Sequence, residues 1–416
     1  MDNMQKGKAV TQCHMCKKKN LELVLDLGHH PHSDDFVEPE RLRGEMYSFP
    51  LRLVSCRDCG LLQIDYLVNP DILYRTNYVY ESSTTKTGRE HYANMARDIF
   101  DTFSLSKGDL AIDVGSNVGV LLQGFKDVGM DVLGVDPAEI PAQKAIDNGI
   151  PTIVDYFMRE TAGEIKKKHG PARVITGTNV FAHLHEIDSA VEGMKELLSD
   201  DGVIAIEAPY AIPLIEHLEY DTIYHQHVGY LSVKPMQEYF KRFDLELFDV
   251  KPASIHGGTL RYYIGHTGAH EIAPAIPEYL RKEEDFGLYS KERLSRFASD
   301  VVEQRVALLD LLLSLKKKGK RVVCVSTPAK GNTLLNYCNV DTTHIDYATE
   351  KNALKVDKFT PGTHIPIHAD EKILEDMPDY ALILAWNFAD EIIKNMEEFR
   401  KRGGKFIIPI PKPVIK

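Results

Sequence analysis

Four of the six cysteines fall in two C-x-x-C pairs, Cys13 with Cys16 and Cys56 with Cys59. Each pair offers two thiolates from one tight turn, and two such turns can close a tetrahedron around zinc. The 39-residue spacer is long for a zinc ribbon but leaves room for a β-hairpin. Neither pair stands at a strand-to-helix junction, where a redox C-x-x-C would sit. All four are therefore expected to ligate one closed, structural zinc, because a catalytic zinc keeps an open position.

A second signal is an apolar run, Ala111 to Val114, that ends in Gly115-x-x-x-Gly119 and enters an expected helix, Val120 to Asp127. Glycines at such a turn let the backbone pass close to a ligand. Twenty-one residues after Gly115, a second expected strand, Val132 to Val135, ends in Asp136. A carboxylate there can accept from both hydroxyls of a ribose. The middle glycine of a nicotinamide fingerprint is absent, because residue 117 is Asn, and this disfavours NAD.

A third signal is the density of imidazoles and phenols between Tyr220 and Tyr230: Tyr220, Tyr224, His225, His227 and Tyr230 fall within eleven residues. Imidazole can abstract a proton near neutrality, and a phenol can donate to a developing oxyanion. Asn179 and His183 follow the expected strand Arg173 to Thr176 and should face the same crevice, since ligands of open α/β sheets lie beyond the strands' carboxyl ends.

The elements that must position these residues read as α/β. The chain has 416 residues, enough for two or three domains, with 43% hydrophobic and 27% charged residues, the balance of a folded chain. Short β-like runs at Leu21 to Leu27, Tyr47 to Val54 and Leu61 to Ile64 surround the cysteines. Expected strands at Leu110 to Val114, Val132 to Val135, Arg173 to Thr176 and Val203 to Glu207 alternate with amphipathic segments, the signature of a parallel sheet flanked by helices. A β-type segment at Leu260 to Ile264 and a helical stretch from Ile276 to Lys318 lead to a further set of strands at Arg321 to Ser326, His344 to Tyr347, Tyr380 to Ala385 and Lys405 to Ile410. The expected units are 1–75 around the metal, 76–255 with the glycine loop, a connector over 256–318, and a second Rossmann-like unit over 319–416.

The net charge of −11 repels phosphate backbones and anionic membranes, and the lysine runs at 17–19, 166–168 and 316–318 are short. Met1 to Val10 contain no apolar stretch of signal-peptide length, and no window approaches the ~18 apolar residues of a membrane span. A cytoplasmic monomer acting on a small molecule, without nucleic-acid or membrane partners, is the expectation. Six cysteines are also too few for a disulfide scaffold.

The D-x-G-x-N-x-G form of the loop resembles motif I of class I S-adenosylmethionine-dependent methyltransferases. More of the chain shares a pattern: the paired C-x-x-C, D-V-G-S-N-x-G, G-V-D-P-A, N-V-F-A-H, E-A-P-Y, Y-H-Q-H-x-x-Y, H-G-G-T-L-R, K-G-N-T-L-L-N-Y and T-P-G-T-H-I-P-I, in this order. The set resembles the nucleotide-sugar C-methyltransferases that act at C-3 of dTDP-4-keto-deoxysugars. That resemblance implies a zinc-binding N-terminal domain, a central S-adenosylmethionine domain and a C-terminal Rossmann-like domain that helps hold the nucleotide sugar.

The resemblance further implies that Asp113, Gly115, Asn117, Gly119, Asp136 and Asn179 serve the cofactor. His227 is the implied base, with Tyr224, Gln226, His225, His183 and Tyr78 or Tyr80 around the sugar. Lys330 and Asn332 would meet the substrate diphosphate, and Tyr230, His256 and Arg261 would complete its site. Two positions depart from the family pattern. Gln226 stands where Y-H-E-H has a carboxylate, keeping size and hydrogen bonding but not charge. Pro328 stiffens the turn before Lys330. These departures leave room for another acceptor, such as a sugar oxygen or a non-sugar carbon acid, or for a binding protein of the same fold without turnover.

Overall fold

The structure is a computed structural model that describes residues 6–75, 86–253 and 258–416. Among them, the strand Leu110–Val114 is buried along its whole length, as a central parallel strand must be. It lies between Ala172–Thr178 and Asp131–Val135 in a seven-stranded sheet. The order is Leu245–Ala253, Thr259–His266, Leu198–Pro209, Ala172–Thr178, Leu110–Val114, Asp131–Val135 and Thr152–Ile153. The strands from Leu198–Pro209 to Thr152–Ile153 run parallel, and the two at the far edge are antiparallel additions. Thr259–His266 thus belongs to this sheet, although the sequence placed it in the connector.

The N-terminal unit is a second sheet in which Leu21–His30, Phe49–Cys56 and Leu62–Ile64 pair antiparallel. Its fourth strand, Gly229–Tyr230, comes from the central unit, with Gly229 opposite Gln63 and Tyr230 opposite Leu62. The pairing fixes the chain two residues after His227 against the metal-binding unit.

The helical stretch divides into Ala275–Phe286 and Lys291–Lys317, separated by Gly287 in the left-handed region. Ser290 caps the second helix by accepting from the backbone N–H of Arg293. At 27 residues this helix spans about 40 Å. It runs from an ion pair of Lys291 with Glu22 of the N-terminal sheet to one of Lys316 with Asp346 of the C-terminal unit.

The C-terminal sheet has the order Ile367–Ala369, Ala348–Glu350, Val322–Val325, Tyr380–Ile383, Lys405–Ile408 and Val414–Ile415, parallel except for the last strand. The strand expected at His344 to Tyr347 begins instead at Ala348. Asp341 closes a turn on Thr343, His344 and Ile345, so the backbone bonds to Val322–Val325 start only at Asp346, whose N–H donates to Val322 O at 2.9 Å.

One apolar core runs through all three units, joining Leu53 and Leu25 to Phe181 and Tyr239 and onward to Leu308 and Leu334. No helix among the described residues is long and apolar enough to cross a membrane.

Candidate active site

The four cysteine Sγ atoms lie within 4.8 Å of one another. Cys13 and Cys59 are 3.6 Å apart and Cys16 and Cys56 3.5 Å. Tetrahedral zinc with Zn–S bonds of about 2.3 Å needs S···S spacings of roughly 3.8 Å, so the donor set and its size fit this metal. The knuckle is tied to the rest of the site, since His14 donates its Nε2–H to the carbonyl of Leu184 at 2.7 Å.

A cavity of about 900 Å³ opens where the three units meet. At one end, the strand Leu110–Val114 stops and the chain turns through Gly115, Asn117 and Gly119, all in the left-handed region. A Cβ on Gly115 would stand 2.5 Å from Val180, so the turn closes only with glycine. Asp136 is 5% exposed, and its two oxygens accept the backbone N–H groups of Asn117 and Ala138, each at 2.8 Å. Those bonds aim the carboxylate and leave each oxygen a second lone pair for a ribose hydroxyl. Burial raises its pKa, and the two N–H groups oppose the rise. Asp113 accepts from Thr176 Oγ1 at 2.6 Å, and burial pushes its carboxyl up to about 7. Ser116 Oγ is buried beside this turn without a hydrogen-bond partner among the described residues. An acceptor pair, a left-handed glycine turn and an unsatisfied hydroxyl fit the polar adenosyl and methionyl groups of S-adenosylmethionine.

The same cavity is lined by His227, Tyr224, His183 and Gln226. His227 Nδ1 is 2.8 Å from the carbonyl oxygen of Thr222. A carbonyl only accepts, so Nδ1 carries the proton and Nε2 of the neutral ring carries the lone pair. The Tyr224 ring lies 4.0 Å from the His227 ring and the His183 ring 4.8 Å, and Tyr74 stacks on His183 at 6.1 Å. Burial, with His227 close by, holds the His183 pKa well below the ordinary value, so His183 stands neutral beside His227.

His225 points elsewhere. Its Nε2 donates to the carbonyl of Pro50 at 3.1 Å, and burial pushes its pKa down to about 4. Tyr230 packs behind His227, with ring centroids 6.2 Å apart, rather than lining the cavity. Gly119 heads the helix Val120–Asp127 behind the loop. Asn179 lines the cavity and anchors its backbone N–H on Glu207 O at 2.7 Å.

Of the expected substrate ligands, Lys330 lines the cavity. Its Nζ lies 4.0 Å above the Trp386 ring and donates to Asn387 Oδ1. Burial pushes its pKa down to about 8, against the attraction of Asp221 and Glu219. Asn332 is buried outside the cavity and donates to the carbonyl of Ser33 at 2.7 Å. Arg261 is buried too, and its guanidinium is engaged by Glu207 at 2.9 Å and Asp98 at 3.1 Å. Tyr78, Tyr80 and His256 lie outside the described residues.

The cavity also holds residues the motifs did not single out. Asp34 lines it and bonds to Gln226, 192 residues away in sequence. Tyr74, Lys351 and Lys355 line it as well. Asp221, one residue before Thr222, accepts from Trp386 Nε1 at 2.7 Å and links this loop to the C-terminal unit. Asp34 and Asp35 follow His32 and Ser33 between the cysteine pairs, a polar cluster whose only sequence signal is its composition.

Comparison with family models agrees with the layout. Family models match in three consecutive stretches: a zinc binding domain over residues 13–74, a methyltransferase domain over 89–250 and a C-methyltransferase C-terminal domain over 254–411. The C-methyltransferase NovU of Streptomyces niveus is 34% identical over 405 residues, 97% of this chain and 96% of that protein. The ubiquinone biosynthesis O-methyltransferase of Haemophilus ducreyi is 30% identical over 106 residues, 23% of this chain and 44% of its own. Among solved structures, magnesium protoporphyrin IX methyltransferase ChlM from Synechocystis PCC 6803 with bound SAH is 11% identical, covering 45% of this chain and 90% of that one, with a TM-score of 0.35.

Proposed function

Since this chain belongs to the C-methyltransferase family that includes NovU and is an S-adenosylmethionine-dependent enzyme, we propose that its acceptor is the carbon next to the ketone of a nucleotide-linked keto-deoxysugar. C-3 of a dTDP-4-keto sugar is the position that fits best. The observation that carries this reading is the Thr222 carbonyl on His227 Nδ1. It sets the tautomer whose Nε2 can take a proton, in a cavity continuous with the Asp136 loop.

A ketone acidifies the neighbouring C–H, so a neutral imidazole can remove that proton and leave an enolate. His227 takes the proton on Nε2, and the Thr222 carbonyl stabilises the resulting imidazolium through Nδ1–H. Tyr224 offers a phenol to the enolate oxygen. S-adenosylmethionine supplies the sulfonium methyl group. Asp113, Gly115, Asn117, Asp136 and Asn179 are the residues that would hold it. Lys330, Lys351 and Lys355 offer ammonium groups to a diphosphate from the cavity's C-terminal wall, where they alternate with the carboxyl groups of Glu350, Asp370 and Glu391.

The test is incubation with S-adenosylmethionine and a panel of nucleotide sugars and simple carbon acids, followed by mass analysis. A mass gain of one methylene on the 4-keto sugars is expected. A gain on sugars without a ketone, and none on those with one, would reject the reading.

A further inference from the structure

Gln226 is 2% exposed, and both ends of its amide are committed. Ser33 Oγ donates to its Oε1 at 3.0 Å, and its Nε2 donates to Asp34 Oδ2 at 2.8 Å. A carboxylate only accepts, so Asp34 fixes which end of the amide is nitrogen. Ser33 is anchored in turn, because Asn332 Nδ2 donates to its carbonyl at 2.7 Å. Gln226 is thereby held by two neighbouring residues of the N-terminal unit, one of them anchored on the C-terminal unit, one residue from His227.

The cavity near His227 therefore has its carboxylate at position 34. Asp34 is half-buried, lines the cavity and acts electrostatically on Tyr74, whose ring stacks on His183. Gln226 engages its Oδ2, and among the described residues no side chain donates to Oδ1. Gln226 carries no charge, so the 34/226 pair holds a single negative charge, whereas glutamate at 226 would press a second carboxylate against Asp34. A fixed carboxylate at a partly dry wall selects neutral hydroxyl donors and repels phosphate or carboxylate.

We propose that Asp34 is a specificity-determining residue that accepts a hydrogen bond from a hydroxyl of the methyl acceptor, on the carbon that loses its proton, with Gln226 holding the carboxylate in place. This rests on the sugar reading above. The experiment compares wild type, Asp34→Asn, Gln226→Glu and the double swap Asp34→Asn/Gln226→Glu. The acceptors are a dTDP-4-keto-deoxysugar with a C-3 hydroxyl and the matched sugar without it, and S-adenosylmethionine binding by calorimetry reports folding.

Asp34→Asn should raise KM for the hydroxylated sugar roughly ten- to hundredfold, leave the deoxy analogue within about twofold, and bind the cofactor normally. Gln226→Glu should also lose activity, and the double swap should recover a large part of the loss, because it exchanges charge and amide across one hydrogen bond. If wild type turns over the hydroxylated sugar but Asp34→Asn is unchanged, or if the double swap loses the product of the single losses, Asp34 has no such role. A wild type that methylates neither sugar contradicts the substrate reading and the Asp34 assignment together.

Discussion

His227 gives its Nδ1 proton to the carbonyl of Thr222, 2.8 Å away, and the residue before that carbonyl, Asp221, is bonded to Trp386 of the C-terminal unit. The base is thus oriented by a short loop held at both ends, by Trp386 on one side and by the pairing of Gly229–Tyr230 with Leu62–Ile64 on the other. His227→Asn should keep cofactor affinity by calorimetry and lose roughly 10²- to 10⁴-fold in kcat, the usual contribution of a general base. His183 and His225 are held neutral by burial. Activity should therefore rise with pH through a single histidine step, and His183→Asn should leave that step in place.

Lys330 should set the alkaline side of the profile. Its pKa is pushed down to about 8, so its charge is full below that value and disappears as pH rises through it. KM for a dTDP-linked acceptor should increase above about pH 8, and Lys330→Met should raise KM at neutral pH and flatten that limb. Trp386 is the single tryptophan and lies under Lys330. Its emission should shift when dTDP is titrated in, and the shift should disappear in Lys330→Met.

Asp136→Ala removes the acceptor pair and leaves the N–H groups of Asn117 and Ala138 without their partner. Cofactor binding should weaken by about 1–3 kcal/mol, with NAD showing no binding in the same calorimeter. Gly115→Ala should do at least as much damage, since its Cβ meets Val180 at 2.5 Å in a left-handed conformation.

Elemental analysis should find about one zinc per chain, lost in Cys56→Ser. The knuckle reaches the cavity through His14 and Leu184. Metal loss should therefore lower thermal stability and activity together, whereas His14→Ala should keep zinc and reduce activity alone.

The helix Val120–Asp127 and the buried strand before it were readable because apolar periodicity, left-handed glycines and a terminal acid all point the same way locally. The cysteine tetrad was readable from spacing. What the sequence concealed are contacts made by folding: Asp34 on Gln226, Trp386 on Asp221, and the strand Gly229–Tyr230 that joins another unit's sheet. Arg261 and Asn332 show the converse. Both stand in suggestive motifs, but a buried ion pair and a backbone carbonyl engage them away from the cavity.

The central claim, methylation of the carbon beside a sugar ketone, is tested most directly by carbon NMR of the product formed from a dTDP-4-keto-deoxysugar and S-adenosylmethionine labelled with ¹³C in its methyl group. A labelled methyl bonded to C-3 is expected, seen through its one-bond carbon coupling and its position well upfield of an O-methyl. A labelled methyl on oxygen, or no label in the sugar, would contradict it.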